Sequence, residues 1–357
     1  MITQAFVLGA GLGTRLRPLT EDFPKPLIPI FQKPLITFAL DHLLSVGIQS
    51  FVINTHYRPN YFVDFFGDKD APDSDAALRR PSDGPNANRI DSDGRRGAAS
   101  LPGESLPKNP VRGSYRTHPI TLEYEPTLLG TGGGIKNVED LLTAEPFIVY
   151  SGDLLTDFAL APLIEEHLRK ENDVTLALRK TGLATGVALK NGRIVDIENR
   201  YGHPGEYDFA NVSIWNRTIF QRIPPGRSLS FIPIVAEWIG EGGKIGGVVV
   251  GDGKWFNIGS RTEYLAVHQF INKSVWKPNY VTAADWPVTV AADAVIDSSV
   301  KLSGFCSVGA RCQVGALATL ENTILWPGAQ IASRSHLHNC IVRTDQRVQG
   351  EHHDCDI

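Results

Sequence analysis

Little in this chain of 357 residues offers sulfur, and nothing in it is a long apolar run. The four cysteines, Cys306, Cys312, Cys340 and Cys355, form no CxxC pair of the kind that a zinc site or a redox motif uses. They read as reduced thiols, some of them core fillers. No apolar stretch approaches the roughly 20 residues needed to span a bilayer. The first residues lack the basic, apolar and small-residue order of a secretory leader. The expectation is a cytoplasmic protein with no membrane partner. Basic charge is not in excess either: 35 Lys and Arg stand against 39 Asp and Glu, a net charge of −4. That balance gives no broad positive face for nucleic acid. Apolar residues, by contrast, make up 42% of the chain, enough to fill the cores of about two domains.

Strand-like and helix-like segments alternate from the start. TQAFVLG reads as a buried strand. KPLITFALDHLLSVG carries Leu35, Phe38, Leu40, Leu43 and Leu44 at helical spacing and stops at Gly47. QSFVIN is a second strand and RPNYFVDFF a second helix. ITLEY, PFIVYSGD and DVTLALR are later strands, with helices from Ile135 to Leu142 and from Leu160 to Lys170. This order predicts an α/β domain over residues 1–275 with much parallel pairing. Residues 68–118 break the rhythm. They are rich in Asp, Arg, Pro, Gly and Ser and bury too little to offset their ordering entropy. The segment is expected to be a flexible insertion, or ordered only by a partner. Beyond about residue 280, Val290, Ile296, Leu302, Val308, Val314 and Leu320 recur at every sixth position, and Ile331 and Leu337 resume the period after a slip. That repeat predicts a parallel β-helix of about three coils over residues 285–357.

The first strand runs into GAGLGTRLRPLTEDFPKPLIP, residues 9–29. A Gly-rich turn after a strand lets backbone amides approach a phosphate closely. A dinucleotide fingerprint would need glycine where Thr14 stands, and no GxxxxGK run exists for a P-loop. A purely structural turn would need the glycines but not Arg15, Arg17 and Lys25 together.

The segment resembles the signature of the sugar-nucleotide pyrophosphorylases, the nucleotidyltransferases that act on sugar 1-phosphates: G-x-G-T-R-x-x-P, a spacer, then K-P. The likeness extends along the chain. PTLLGTGGGIKN resembles the family's second nucleotide loop, FIVYSGDLLTDF its G-D motif, and KWFNIGSRTEYL its W-x-D-x-G motif. The six-residue repeat is similar to the left-handed β-helix that many members append. The resemblance implies a Rossmann-like domain with a mixed, mostly parallel sheet followed by a short left-handed β-helix. It implies transfer of a nucleotide from a nucleoside triphosphate to a sugar 1-phosphate, with release of pyrophosphate.

Residue roles follow from the same likeness. Two polyanions must meet, so fixed positive charge is required. Arg15 is assigned to the triphosphate tail and Lys25 to the α-phosphate and the incoming sugar phosphate. Pro24 and Pro26 stiffen the chain around Lys25, whose loop position suggests that it buries little. Leu8, Gly9, Ala10 and Gly11 would lie under the base and ribose, with Gly13 and Thr14 in the same loop and Gly130, Thr131 and Gly132 in the second. Magnesium is the implied cofactor, with Asp153 as one ligand. The second ligand departs from the pattern: Trp255, Phe256, Asn257, Ile258 and Gly259 put an amide where the family has a carboxylate, as the N-acetylglucosamine 1-phosphate branch also does. On the sugar side the family's E-K-P run becomes Glu198, Asn199 and Arg200, with Gly186 and Asn211 nearby in the motif order. The first loop and LLGTGGG are most similar to the mannose 1-phosphate guanylyltransferases, which favours GTP. A uridylyltransferase for N-acetylmuramic acid 1-phosphate, a guanylyltransferase for heptose 1-phosphate and a catalytically weak regulatory subunit stay open, as does a homo-oligomer. An acyltransferase would need a longer solenoid.

Overall fold

The computed structural model describes residues 1–67, 110–181, 186–284 and 286–357. The chain opens with β1 (Gln4–Leu8), a short α1 (Leu19–Asp22), and a hairpin of β2 (Pro29–Ile30) and β3 (Lys33–Pro34). Next come α2 (Leu35–Leu44), β4 (Ser50–Thr55), α3 (Pro59–Phe66), β5 (Val111–Tyr115), β6 (His118–Tyr124) and α4 (Gly130–Asn137). They are followed by β7 (Phe147–Ser151), β8 (Leu154–Thr156), α5 (Ala161–Lys170), β9 (Val174–Arg179), β10 (Val187–Lys190) and β11 (Arg193–Ile197). The series ends with β12 (Asp208–Trp215), α6 (Phe231–Gly240), β13 (Ile245–Val249), β14 (Trp255–Asn257) and α7 (Arg261–Ser274), after which come only short parallel strands. The described residues fall into two compact units. One holds 1–11, 38–56 and 110–255, the other 12–37, 57–67 and 256–357.

The first unit is built on a ten-stranded sheet in the order β10-β11-β13-β9-β12-β7-β1-β4-β6-β5. β1 is parallel to both β4 and β7, and β4 is parallel to β6, whereas β12 runs antiparallel to β7 and β9. Central strands covered on both faces need unbroken apolar runs. Phe6, Val7, Phe51, Val52, Ile53, Ile148 and Val149 are accordingly all buried. The chain leaves β1 towards β4 and β6 and then returns to β7 on the other side of β1. Such a switch of direction opens a crevice at the carboxyl ends of the strands. Two elements differ from the sequence expectation. Most of the expected insertion lies outside the described residues, but its last part forms β5. Pairing with β6 satisfies this edge strand, and Tyr115 donates a 3.0 Å hydrogen bond to the buried Asp41 carboxylate, which also pairs with Arg116 at 2.8 Å. The helix expected from Ile135 starts at Gly130, because the glycine run is held as helix by the segment packed on it.

The second unit carries a left-handed β-helix of three parallel sheets with four, four and three strands. Ile296, Val314, Ile331 and Val348 stack in register, as do Leu302, Leu320 and Leu337. The slip in the repeat has a structural origin. Val308 pairs with Val290, but the next coil places Leu325 on Val308, one residue sooner. The residue is lost just past a corner where Gly304, Asn322, Asn339 and Asp354 all take positive φ, from 49° to 66°. Asn and Asp tolerate that conformation at small cost. The β2–β3 hairpin is docked in this same unit. Tyr264 of α7 donates to Pro29 O at 2.5 Å, Trp326 Nε1 donates to the Tyr264 hydroxyl at 3.0 Å, and Gln32 Nε2 donates to Ser307 Oγ at 3.0 Å.

Candidate active site

In the first unit the register gathers the expected residues at one sheet edge. Leu8 stands opposite both Asn54 and Ser151. Val212 stands opposite Tyr150, so Asn211 begins the level of Ser151, and Ser151 Oγ donates to Asp153 Oδ1 at 2.9 Å. Leu8, Asp153 and Asn211 therefore share the carboxyl edge of β1 and β7. Asn211 has φ 63° inside a strand whose register against β9 is irregular, a left-handed backbone that asparagine tolerates at small cost. An ideal Cβ on Gly11 would meet no atom within 4 Å among the described residues, and its φ is not left-handed. Neither packing nor backbone conformation thus requires a glycine at this position, which leaves the backbone there open to close approach.

The glycines of the second loop have another reason. A Cβ would lie 2.7 Å from Leu229 O at Gly130, 2.4 Å from Leu229 Cδ1 at Gly132 and 2.1 Å from Arg227 O at Gly133. The Gly132 amide donates to Leu229 O at 2.9 Å, and Thr131 Oγ1 accepts from the Phe231 amide at 3.2 Å. These residues clamp the 227–231 segment onto α4. On the sugar side, the buried Asp196 accepts the amides of Arg200, Tyr201 and His203 at 2.7, 2.7 and 3.0 Å. It holds a tight loop in which Glu198 and Asn199 have φ 61° and 56°. Desolvation pushes the Asp196 carboxyl pKa up, but the amides together outweigh it and leave the pKa lowered. Gly186 O accepts from the Glu198 amide at 2.9 Å, so Gly186 anchors the same loop. The Arg200 guanidinium donates to Pro233 O at 3.3 Å. A carbonyl does not neutralise its positive charge, and among the described residues no carboxylate pairs with it.

The second unit brings the cationic loop and the W-x-D-x-G-like motif together. Gly13 takes φ 61°, and a Cβ on it would meet Lys25 Cβ and Thr20 Cγ2 at 3.0 Å. The G-T-R and K-P parts of the signature therefore pack on one another. Lys25 is buried, at 7% exposure, in the turn Lys25–Leu27. The expectation of a largely exposed loop lysine fails because Gly13 packs against its Cβ and the turn Lys25–Leu27 is itself buried. A Cβ on Gly259 would lie 2.8 Å from Arg15 Nη2, so the Arg15 guanidinium rests against the motif, two residues from Asn257. Ser260 Oγ accepts from the Glu263 amide at 3.3 Å, and Glu263 Oε2 accepts from the Gly259 amide at 2.8 Å. Ser260 thus caps the start of α7, and Glu263 ties the preceding Gly259 to it. Arg261, the next residue, donates from Nε to Asp356 Oδ1 at 2.6 Å.

Three polar residues of the site are absent from the sequence reading: Asn54, Glu125 and Asp196. Each is a buried polar group, at 1%, 0% and 0% exposure, close to the end of an apolar strand. A polar residue ending a run such as FVIN is the only sequence signal for them.

A family model described as nucleotidyl transferase matches residues 4–274. The mannose-1-phosphate guanylyltransferase of Mycobacterium tuberculosis is 25% identical over 92% of this chain and 80% of its own length. The UTP–glucose-1-phosphate uridylyltransferase of Synechocystis is 22% identical over 93% of this chain and 86% of its own. Among solved structures, a putative glucose-1-phosphate thymidylyltransferase from Bacillus anthracis shares the fold at a TM-score of 0.54 and 19% identity, covering 74% of this chain and 92% of that one. With the family's model matched over most of its length, this chain is an enzyme of the nucleotidyl transferase family.

Proposed function

We propose that the enzyme transfers the guanylyl group of GTP to mannose 1-phosphate. The observation that carries this reading is the similarity to a mannose-1-phosphate guanylyltransferase along nearly the whole chain, solenoid included. A phosphate oxygen of the sugar phosphate attacks the α-phosphorus, the bond to the β-phosphate bridging oxygen breaks, and pyrophosphate leaves. The backbone from Leu8 to Gly11 meets the nucleoside. Lys25, desolvated by its own fold, neutralises charge at the α-phosphate more effectively than an exposed lysine would. Arg15 steadies the departing pyrophosphate. Glu198, Arg200 and Asn211, with Gly186 as anchor, face the sugar phosphate. Asp153 and Asn257 are hard oxygen donors of the kind that suits magnesium, which leans on phosphate oxygens for much of its coordination. A magnesium ion bound with the triphosphate would supply charge neutralisation to its phosphates.

A second reading, uridylyl transfer to glucose 1-phosphate, is favoured by the Synechocystis relative. Pyrophosphate release measured for five nucleoside triphosphates against a panel of sugar 1-phosphates separates the two. The highest kcat/KM is expected for GTP with mannose 1-phosphate. A higher value for UTP with glucose 1-phosphate establishes the second reading instead.

A further inference from the structure

The first and second nucleotide loops of the ten-stranded unit are joined through two buried side chains. The Gly9 amide donates to Asn54 Oδ1 at 2.8 Å. Asn54 Nδ2 donates to Glu125 Oε1 at 2.7 Å, and the Leu129 amide donates to Glu125 Oε2 at 3.1 Å. Gly9 opens the first loop, and Leu129 is the N-cap of α4. We propose that Glu125 is a positioning residue for the nucleoside triphosphate, fixing the first loop through Asn54 and the second loop directly.

The donor and acceptor count makes the assignment specific. Asn54 must turn its oxygen to Gly9, so its NH2 must point at residue 125. The Leu129 amide points at the same residue. Position 125 therefore needs an acceptor at each of two oxygens, which an ionised carboxylate supplies and a glutamine side chain does not. Burial makes that carboxylate costly and leaves the Glu125 pKa raised, although the bonds from Asn54 and Leu129 work against the rise. The backbone of Glu125 is fixed as well: its amide donates to Thr55 O at 2.7 Å, and His56 Nδ1 donates to its carbonyl at 2.8 Å. Gly134 belongs to the same arrangement, since a Cβ there would lie 2.9 Å from both Asn54 Nδ2 and Glu125 Oε1. No other described position of the second loop brings a glycine against side chains of both preceding strands.

The proposal rests on nucleotidyl transfer as the reaction, and its test separates the two. Glu125→Gln sets an NH2 against one of two donors and should raise KM for the triphosphate about tenfold or more, with a much smaller change in kcat and none in KM for the sugar phosphate. Asn54→Asp alone sets two carboxylates face to face and should do the same. The double variant Asn54→Asp/Glu125→Gln rebuilds the connectivity in reverse. The carboxylate introduced at position 54 accepts from the Gly9 amide and from the NH2 introduced at position 125, whose partner oxygen accepts from the Leu129 amide. The double variant should restore the triphosphate KM to within about threefold of wild type. Calorimetric titration with the triphosphate alone reads the same changes in Kd. A wild type that binds the triphosphate but transfers nothing would refute the transfer reading while leaving these Kd values to judge the relay. A folded Glu125→Gln with wild-type triphosphate affinity overturns the proposal. If that variant does not fold, the double variant decides: rescued affinity supports the relay, and a folded double variant with weakened affinity overturns it.

Discussion

Acid should loosen the second unit through His268, and the size of the effect follows from its surroundings. The ring is fully buried on α7. Its Nδ1–H donates to Tyr264 O at 2.8 Å, and Nε2 accepts from the Phe31 amide at 3.4 Å, at the turn of the β2–β3 hairpin. Phe31 packs on it with ring centroids 4.8 Å apart. Burial lowers its pKa from 6.5 to about 4. Protonation would put a charge among aromatic rings and turn Nε2 into a donor facing another donor. The unfolded chain therefore takes up the proton first. Above pH 6.5 both states are neutral and nothing is lost. Stability falls as the pH drops from 6.5 towards 4, by about 3 kcal/mol in full and about 2.5 kcal/mol by pH 4.5. His268→Gln keeps an acceptor for Phe31 and does not titrate. Denaturant unfolding at pH 7 and pH 4.5 should show wild type losing about 2.5 kcal/mol more than the variant between the two conditions. His42, also buried and lowered to about 3, titrates in both proteins and cancels. Equal losses in the two proteins would show that His268 is accessible to protons in the fold.

Lys25→Ala should lower kcat/KM by about two orders of magnitude, on the order of 3 kcal/mol, in a pyrophosphate-release assay, and a value within tenfold of wild type removes Lys25 from the chemistry. Asn257→Asp should lower the free magnesium needed for half-maximal rate, whereas Asn257→Ala should raise it; identical magnesium titrations for all three would mean that residue 257 is no ligand. Asn211→Gly should stabilise the fold by up to about 1 kcal/mol in thermal unfolding by relieving the left-handed backbone, while KM for the sugar phosphate rises if the amide holds a hydroxyl. Arg261→Ala removes the ion pair with the half-buried Asp356 but leaves Arg343 acting on that carboxylate, and should cost about 2 kcal/mol in the same measurement.

The central strands were legible in the sequence because burial on both faces leaves unbroken apolar runs, as in AFVL and FVIN. The six-residue period likewise marked the solenoid, since its inward columns are a local pattern. The start of α4 was not legible. Glycines are poor helix formers, and the 227–231 segment that holds Gly130–Gly134 in helix is nearly 100 residues away in sequence. The cationic signature could be read from its letters, but the burial of Lys25 could not, because it depends on Gly13 packing back against it. Asn54 and Glu125 make sense only as a pair across 71 positions, with Gly9 and Leu129 at the two ends. Asp196 shows itself only when three amides of the following loop turn back to it.

The docking of the β2–β3 hairpin on α7 and the solenoid sets an order of events during synthesis. Residues 12–37 leave the ribosome well before their packing partners Tyr264, His268, Trp286, Ser307 and Trp326. At about 5–20 residues per second, the loop that carries Arg15 and Lys25 waits roughly 15–60 s for the surface that holds it. Throughout that interval its apolar stretch from Leu27 to Phe31 lacks the cover it has in the finished protein. Chains arrested before α7 should be cut there by protease, and chains arrested after the full solenoid has emerged should not. A fold that stores the loop carrying Arg15 and Lys25 against α7 and the solenoid completes that loop's scaffold only once the solenoid has been made.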